Sequence, residues 1–209
     1  MMAVMRTSAM KRDQLKRHSL GRVLDSAARR IRQEGLGRTP IAAVMADAGL
    51  THGTFYSHFS SKEELETAAF AQAITTGRPM WIPPMRGEAW NVRLYSLAKR
   101  YLTAAHRDDL ASSCGFSALA SEAAHATPAF RGAYERELKG SLNAICGGDS
   151  ADDVHLDDAL ALMVICVGGL SLSRAVVDDA FSARILRVAR QAAAQLADTT
   201  TEPIEEHPR

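Results

Sequence analysis

Residues 50–65, LTHGTFYSHFSSKEEL, place narrow demands on the fold around them. Phe55 and Phe59 stand four apart, so on a helix they share one face and anchor it to whatever lies beneath. The remaining positions, Thr51, His52, Thr54, Tyr56, Ser57 and His58, supply hydroxyls, imidazoles and one phenol, and Gly53 leaves room for close approach. No acidic residue lies between Leu50 and Lys62. Such a surface is poorly suited to a core and well suited to phosphate oxygens and base edges.

The flanking sequence builds a frame for it. Residues 40–48, PIAAVMADA, read as a short helix with Thr39 as N-cap and Pro40 at its first position. Its stripe is Ile41, Val44, Met45 and Ala48, and Gly49 supplies the tight turn that follows. Thr51 then caps the second helix, and Ser60 with Glu63 forms a capping box that starts a third, running to about Thr76. Upstream, a helix from near Gln14 to Glu34 buries Leu20, Val23, Leu24, Ala27, Ala28 and Ile31, with five arginines largely off that stripe. The pattern is a helix-turn-helix head over residues 13–62, preceded by an arm over residues 1–12 whose Arg6, Lys11 and Arg12 could reach phosphates.

The run AGLTHGTFYSHFSSKEEL, placed after an arginine-rich amphipathic helix, resembles the TetR/AcrR family of bacterial transcriptional regulators. The resemblance covers roughly the first seventy residues. A weaker likeness continues in YLTAAHRDDL, SCGFSALASEAA and GGLSLSRAV. It implies phosphate or base contacts from Thr51, His52, Gly53, Thr54, Tyr56, His58 and Lys62. Near the helix N-terminus His52 and Thr54 are placed for base edges, whereas Tyr56, His58 and Lys62 look like phosphate clamps. Pro40 and Ala42 depart from the family, which often has a hydroxyl and a basic residue there, and Thr39 is the substitute phosphate contact.

Charge is distributed as this reading requires. Residues 1–62 carry 11 Lys and Arg against 4 Asp and Glu, and the remainder carries 14 against 20, so a head of net +7 sits on a body of net −6. The acidic body favours a neutral or cationic small-molecule effector over an anionic one. The N-terminus lacks the apolar core of a signal peptide, and the apolar run Ala159–Leu170 is too short to span a membrane, so a cytoplasmic protein is expected.

No period-two run of β-branched residues occurs, so the whole chain reads as all-α. The body, residues 63–198, divides into helices at roughly 88–107, 114–126, 128–146, 155–177 and 179–197, with a proline-stiffened loop at 77–87 and a disordered tail at 199–209. Its large rings, Trp81, Trp90, Tyr95, Tyr101, Phe116 and Phe130, are candidate walls of an effector pocket, with ordinary core packing the alternative. LALMVICVGGLSL is apolar on all sides, so one side packs on the body and another on a second copy. Val167, Gly168, Gly169, Ile185 and Val188 are the expected homodimer contacts, an assembly the resemblance also implies.

Other chemistries are weighed on the same residues. Cys114, beside Gly115 at a helix start, is a candidate redox or electrophile sensor. His106, Arg107, Asp108 and Cys114 invite an enzyme reading with a histidine-activated thiol, but no oxyanion loop accompanies them, and no catalysis is expected. Asp152, Asp153, His155, Asp157 and Asp158 serve a helix N-terminus better than a metal, and no cofactor is expected. The expectation is a ligand-responsive DNA-binding regulator, a repressor or else an activator, with double-stranded operator DNA, a second copy and an unidentified effector as partners.

Overall fold

The computed structural model describes residues 2–148 and 153–200. Its helices are α1 (Met2–Glu34), α2 (Ile41–Asp47), a 3₁₀ segment (His52–Ser57), α3 (Lys62–Trp81), α4 (Trp90–Tyr101), α5 (Ala104–Asp108), α6 (Gly115–Ala123), α7 (Pro128–Cys146), α8 (Asp153–Ala175) and α9 (Asp179–Thr199). The fold is all-α, with no strand among the described residues. The stripe Val23, Leu24, Ala27, Ala28 and Ile31 of α1 is buried against α2 and α3. From there one apolar core continues through Phe70 and Ile74 of α3 to Phe116, Leu119, Leu162 and Leu170 of the body, so head and body are packed as one.

Several boundaries differ from the sequence reading. The expected arm at 1–12 is helical from Met2, a stretch of Met, Ala, Lys and Arg without glycine or proline to stop it. Pro40 is the N-cap of α2, not its first helical residue, and Thr39 lies buried outside it. The capping box at α3 is shifted by one: Ser61 Oγ accepts from the Glu64 N–H at 3.1 Å, while Glu64 accepts from the Ser60 N–H at 2.7 Å. Helix α3 does not stop at Gly77 or Pro79 but runs on to Trp81. Its last turn is held from outside, by Arg78 paired with Glu137 of α7 at 2.8 Å and by Trp81 stacked on His106 at 3.9 Å. Those contacts offset the backbone bond that proline removes.

The expected 88–107 helix is broken at Leu102, because Thr103 caps a new turn and Arg190 of α9 donates to the Leu102 carbonyl. Val154–Ala175 of α8 is longer than the twelve-residue run read from sequence and passes the length and composition test for a membrane span. It packs instead against α4, α6, α7 and α9 of the same chain. The proposed tail lies outside the described residues except for Thr199 and Thr200, which close α9.

Candidate nucleic-acid interface and body cavity

The second element of the head is a six-residue 3₁₀ segment and not an α-helix. Gly53 and Thr54 are poor helix formers, and hydroxyls compete locally for the backbone. Thr51 Oγ1 makes no cap to the backbone; it lies 3.0 Å from Thr54 Oγ1, and Ser57 Oγ donates to the Thr54 carbonyl at 2.7 Å. Phe55 and Phe59 are buried, as their spacing requires, with rings 5.8 Å apart. Thr51, His52 and Gly53 are exposed, Thr54 half-exposed, and Tyr56 is 67% exposed with its ring edge-on to Phe55. A side chain added at Gly53 would meet nothing within 4 Å, so the backbone there is open to a close approach.

Three of the expected DNA contacts are differently employed. Thr39 is 2% exposed with its hydroxyl unpaired, and so cannot reach a phosphate. His58 turns towards α1, its Nε2 3.1 Å from Ser19 Oγ, and burial followed by the nearby Lys16 charge lowers its pKa. Lys62 donates to the Gly37 carbonyl at 2.6 Å and lies 4.0 Å from Glu66, holding the α1–α2 loop. Lys16, Arg17 and His18, exposed on α1, stand where the sequence reading put no contact; Lys16, His18 and Arg22 edge a groove that ends at Thr54 and Ser57. Their charge was legible, but which face of α1 flanks the 3₁₀ segment was not.

Behind the head lies a cavity of about 330 Å³. Its walls come from α1 (Asp25, Ala28, Arg29, Arg32), α3 and the residue after it (Ala73 to Ile82), α4 (Tyr101), the α5–α6 connection (Ser112 to Phe116), and Ser141 and Met163 of α7 and α8. Of the six expected ring residues, Trp81, Tyr101 and Phe116 line it. Trp90 instead donates its indole N–H to Asp158 at 2.8 Å and meets His155 edge-on. Tyr95 is 41% exposed under Lys99, and Phe130 is core against Phe70. The contribution of α1 had no signal in the sequence, because nothing in its off-stripe arginines marks which of them the body covers.

The residues considered for catalysis form a scaffold. His106 Nδ1 lies 2.8 Å from the Tyr101 carbonyl, and Nε2 accepts from the Cys114 backbone N–H at 3.1 Å, which fixes the neutral tautomer with Nδ1 protonated. Burial lowers its pKa to about 4. The histidine therefore grips the backbone of Cys114 and not its thiol. Arg174 of α8 completes the scaffold, donating to the carbonyls of His106 and Arg107 and to Ser113 and Ser117. Cys114 is buried at the N-cap of α6, and burial pushes its thiol up rather than down, against the activated thiolate that a sensor needs. Asp158 is occupied by Trp90, and Asp152 lies outside the described residues. Among the described residues no group of three or more His, Cys, Asp or Glu could hold a metal.

The expected dimer contacts divide. Val167, Gly168 and Ile185 are half-buried and Val188 is half-exposed, but Gly169 is buried inside the chain, where a Cβ would stand 2.6 Å from Ala189 and 3.2 Å from Leu102. It sets the α8–α9 approach. The open face of the pair is Leu156, Leu160, Val164 and Leu172 of α8 with Phe181 and Val188 of α9.

A basic three-helix head whose second element presents hydroxyls, an imidazole and a phenol, mounted on a helical body with its own cavity, defines a helix-turn-helix DNA-binding regulator. The profile of the bacterial regulatory proteins of the tetR family matches residues 23–69. Similar solved structures include one described as a TetR-family transcriptional regulator from Rhodococcus sp., with TM-score 0.66 and 18% identity over 88% of this chain and 99% of that one. A second transcriptional regulator, from Rhodococcus sp. Rha1, gives TM-score 0.64 and 19% identity over 87% and 96%. The transcriptional regulator FadR from Bacillus subtilis, in complex with stearoyl-CoA, gives 0.61 and 15% over 84% and 96%. Comparison with curated proteins returns no significant match. At these identities the likeness is one of fold, and the family match rests on the head. Residues 23–69 match the tetR-family DNA-binding domain, and the chain as a whole shares the fold of the TetR-family regulators it resembles.

Proposed function

We propose that the chain acts in the cytoplasm as a homodimeric repressor, released from its operator by a small molecule bound in the 330 Å³ cavity. The observation that carries this reading is that Asp25, Arg29 and Arg32, residues of α1 in the head, wall that cavity together with the body. A molecule seated there touches the head directly, and its occupancy favours one placement of α1 over another. Two further ties cross the same seam. Arg32 donates to the Ala111 carbonyl at 2.7 Å, and Glu122 of α6 accepts from the Leu36 N–H at 2.5 Å. Moving a population from 1:99 to 99:1 takes about 5.5 kcal/mol of differential affinity, which favours an enclosed and largely apolar site. An activator would use the same geometry with a different operator position.

The test is binding of the full chain to DNA upstream of its own coding sequence. Affinity should fall steeply as salt rises. His52→Ala should lose about 1–3 kcal/mol of discrimination between the operator and unrelated duplex. Tyr56→Phe should weaken both alike. Salt-independent binding, or full discrimination retained in His52→Ala and Thr54→Ala together, would remove the 3₁₀ segment from the recognition role.

A further inference from the structure

Resting on the effector reading above, we propose that the cavity takes a small amphiphilic carboxylate, an aromatic acid whose carboxylate meets Arg32 and whose far end carries a hydrogen-bonding group for Tyr101. Three features of the walls point to this chemistry. The first is charge. Arg29, Arg32 and Arg78 line the cavity against one carboxylate, Asp25, so the acidic balance of the body as a whole is reversed at this place. Arg78 is committed to Glu137 and Ser141. Arg32 is not committed in that way. Its Nε donates to the Ala111 carbonyl, and neither it nor Arg29 has an ion-pair partner among the described residues. A partly buried guanidinium with free Nη donors is a fork shaped for a carboxylate. Desolvation lowers the Arg32 pKa, with the neighbouring Arg29 adding to it and the more distant Asp109 and Asp25 offsetting only part.

The second feature is a buried hydroxyl with no partner. Tyr101 is 6% exposed, and its Oη makes no hydrogen bond among the described residues, although Cys114 and Ser117 lie beside it. An unpaired buried hydroxyl is destabilising, and a ligand hydroxyl or carbonyl would satisfy it. The third is the wall between these two polar points. Ile74, Met80, Trp81, Phe116 and Met163 supply flat and flexible apolar surface. About 330 Å³ is at the small end of ligand sites, suited to a single ring with short substituents and not to a large polycyclic drug. A carboxylate on the Nη donors of Arg32, whose Nε holds the Ala111 carbonyl, also bears on the seam between head and body.

The experiment is titration calorimetry on the free full-length protein with benzoate, 4-hydroxybenzoate and 4-hydroxybenzamide. The hydroxy acid should bind most tightly, and the amide, equal in size but uncharged, roughly tenfold or more weakly. Arg32→Gln should make the hydroxy acid and amide equal, and Arg32→Lys should restore part of the difference. Tyr101→Phe should make benzoate and 4-hydroxybenzoate equal; since it removes an unpaired buried hydroxyl, this variant should fold at least as well as the parent. An amide that binds wild type as tightly as the acid, or no binding by either acid, overturns the proposal. Operator binding on the same preparations separates the two readings: DNA affinity without acid binding sinks the carboxylate alone, and acid binding without DNA affinity sinks the regulator.

Discussion

At the scale of single residues, His106 shows how far identity alone can mislead. Eight residues before a cysteine, it invites a nucleophile reading; in the fold both ring nitrogens are spent on backbone, and the ring is stacked on Trp81. Unfolded, the ring takes a proton near its ordinary 6.5, and folded only near 4. The stabilisation from the neutral ring is thus complete above pH 6.5 and is lost as pH falls from 6.5 towards 4, where the unfolded chain binds the proton first. The effect is on the order of 1–3 kcal/mol, or several degrees in Tm. His106→Asn, which keeps a donor for the Tyr101 carbonyl, should melt lower than wild type at pH 7.5 but lose less Tm between pH 7.5 and 5. Equal losses in the two proteins would show that the ring does not titrate in this way. The buried Phe55 and Phe59 and the exposed Tyr56 were legible from spacing alone. The engagement of His58 with Ser19 and of Lys62 with Gly37 was not, because it depends on partners 39 and 25 residues away.

At the scale of elements, helix ends account for most of the difference between sequence and structure. Starts at α3, α7 and α9 were legible within a residue or two, each with a capping hydroxyl or carboxylate before it, whereas the start of α5 after Thr103 was not. Thr127 accepts from the Phe130 N–H ahead of α7, Asp178 accepts from the Phe181 N–H ahead of α9, and Ser61 caps α3. The stop of α7 at Cys146 was read as found, with Gly147 after it, but that of α4 was not, and distant arginines hold both. Arg93 of α4 donates to the last carbonyls of α7, at Ala144 and Ile145, and Arg190 of α9 to the carbonyl that ends α4. A cation on a helix C-terminus complements its dipole as well as its orphan acceptors. Pro79 was read as a stop because propensity argues so, and the Arg78–Glu137 pair overrides it. These assignments make a prediction at α3. Ser61→Ala should cost about 1 kcal/mol of stability, a loss typical of an N-cap. Ser60→Ala, whose backbone N–H still reaches Glu64, should cost less. Chemical denaturation of both variants decides it, and the reverse order would put the cap back at Ser60.

At the scale of the whole molecule, α8 and α9 leave a surface that a single copy does not use. Val164 is 65% exposed, Leu172 61%, and Phe181 and Val188 50% each, and they share the open face of one helix pair. Contiguous apolar surface of this kind is uncommon on a monomer. A two-fold mate presenting the same face would bury it as a four-helix layer and space two recognition segments for two half-sites. Gly168 favours this assembly, since a Cβ there would meet nothing within the chain and the helix backbone stays open to a neighbour. Gly169, one residue on, faces inward against Ala189 and Leu102, so the two adjacent glycines separate assembly from folding. Val164→Arg should therefore yield a folded monomer in sedimentation velocity, helical by circular dichroism and bound to operator far more weakly than the parent. Gly169→Leu should instead lower Tm sharply or leave the chain unfolded, because the added side chain has no space between α8 and α9. A Val164→Arg protein that still sediments as a dimer would move the interface off this face, and a wild-type monomer at micromolar concentration would remove the two-half-site reading with it.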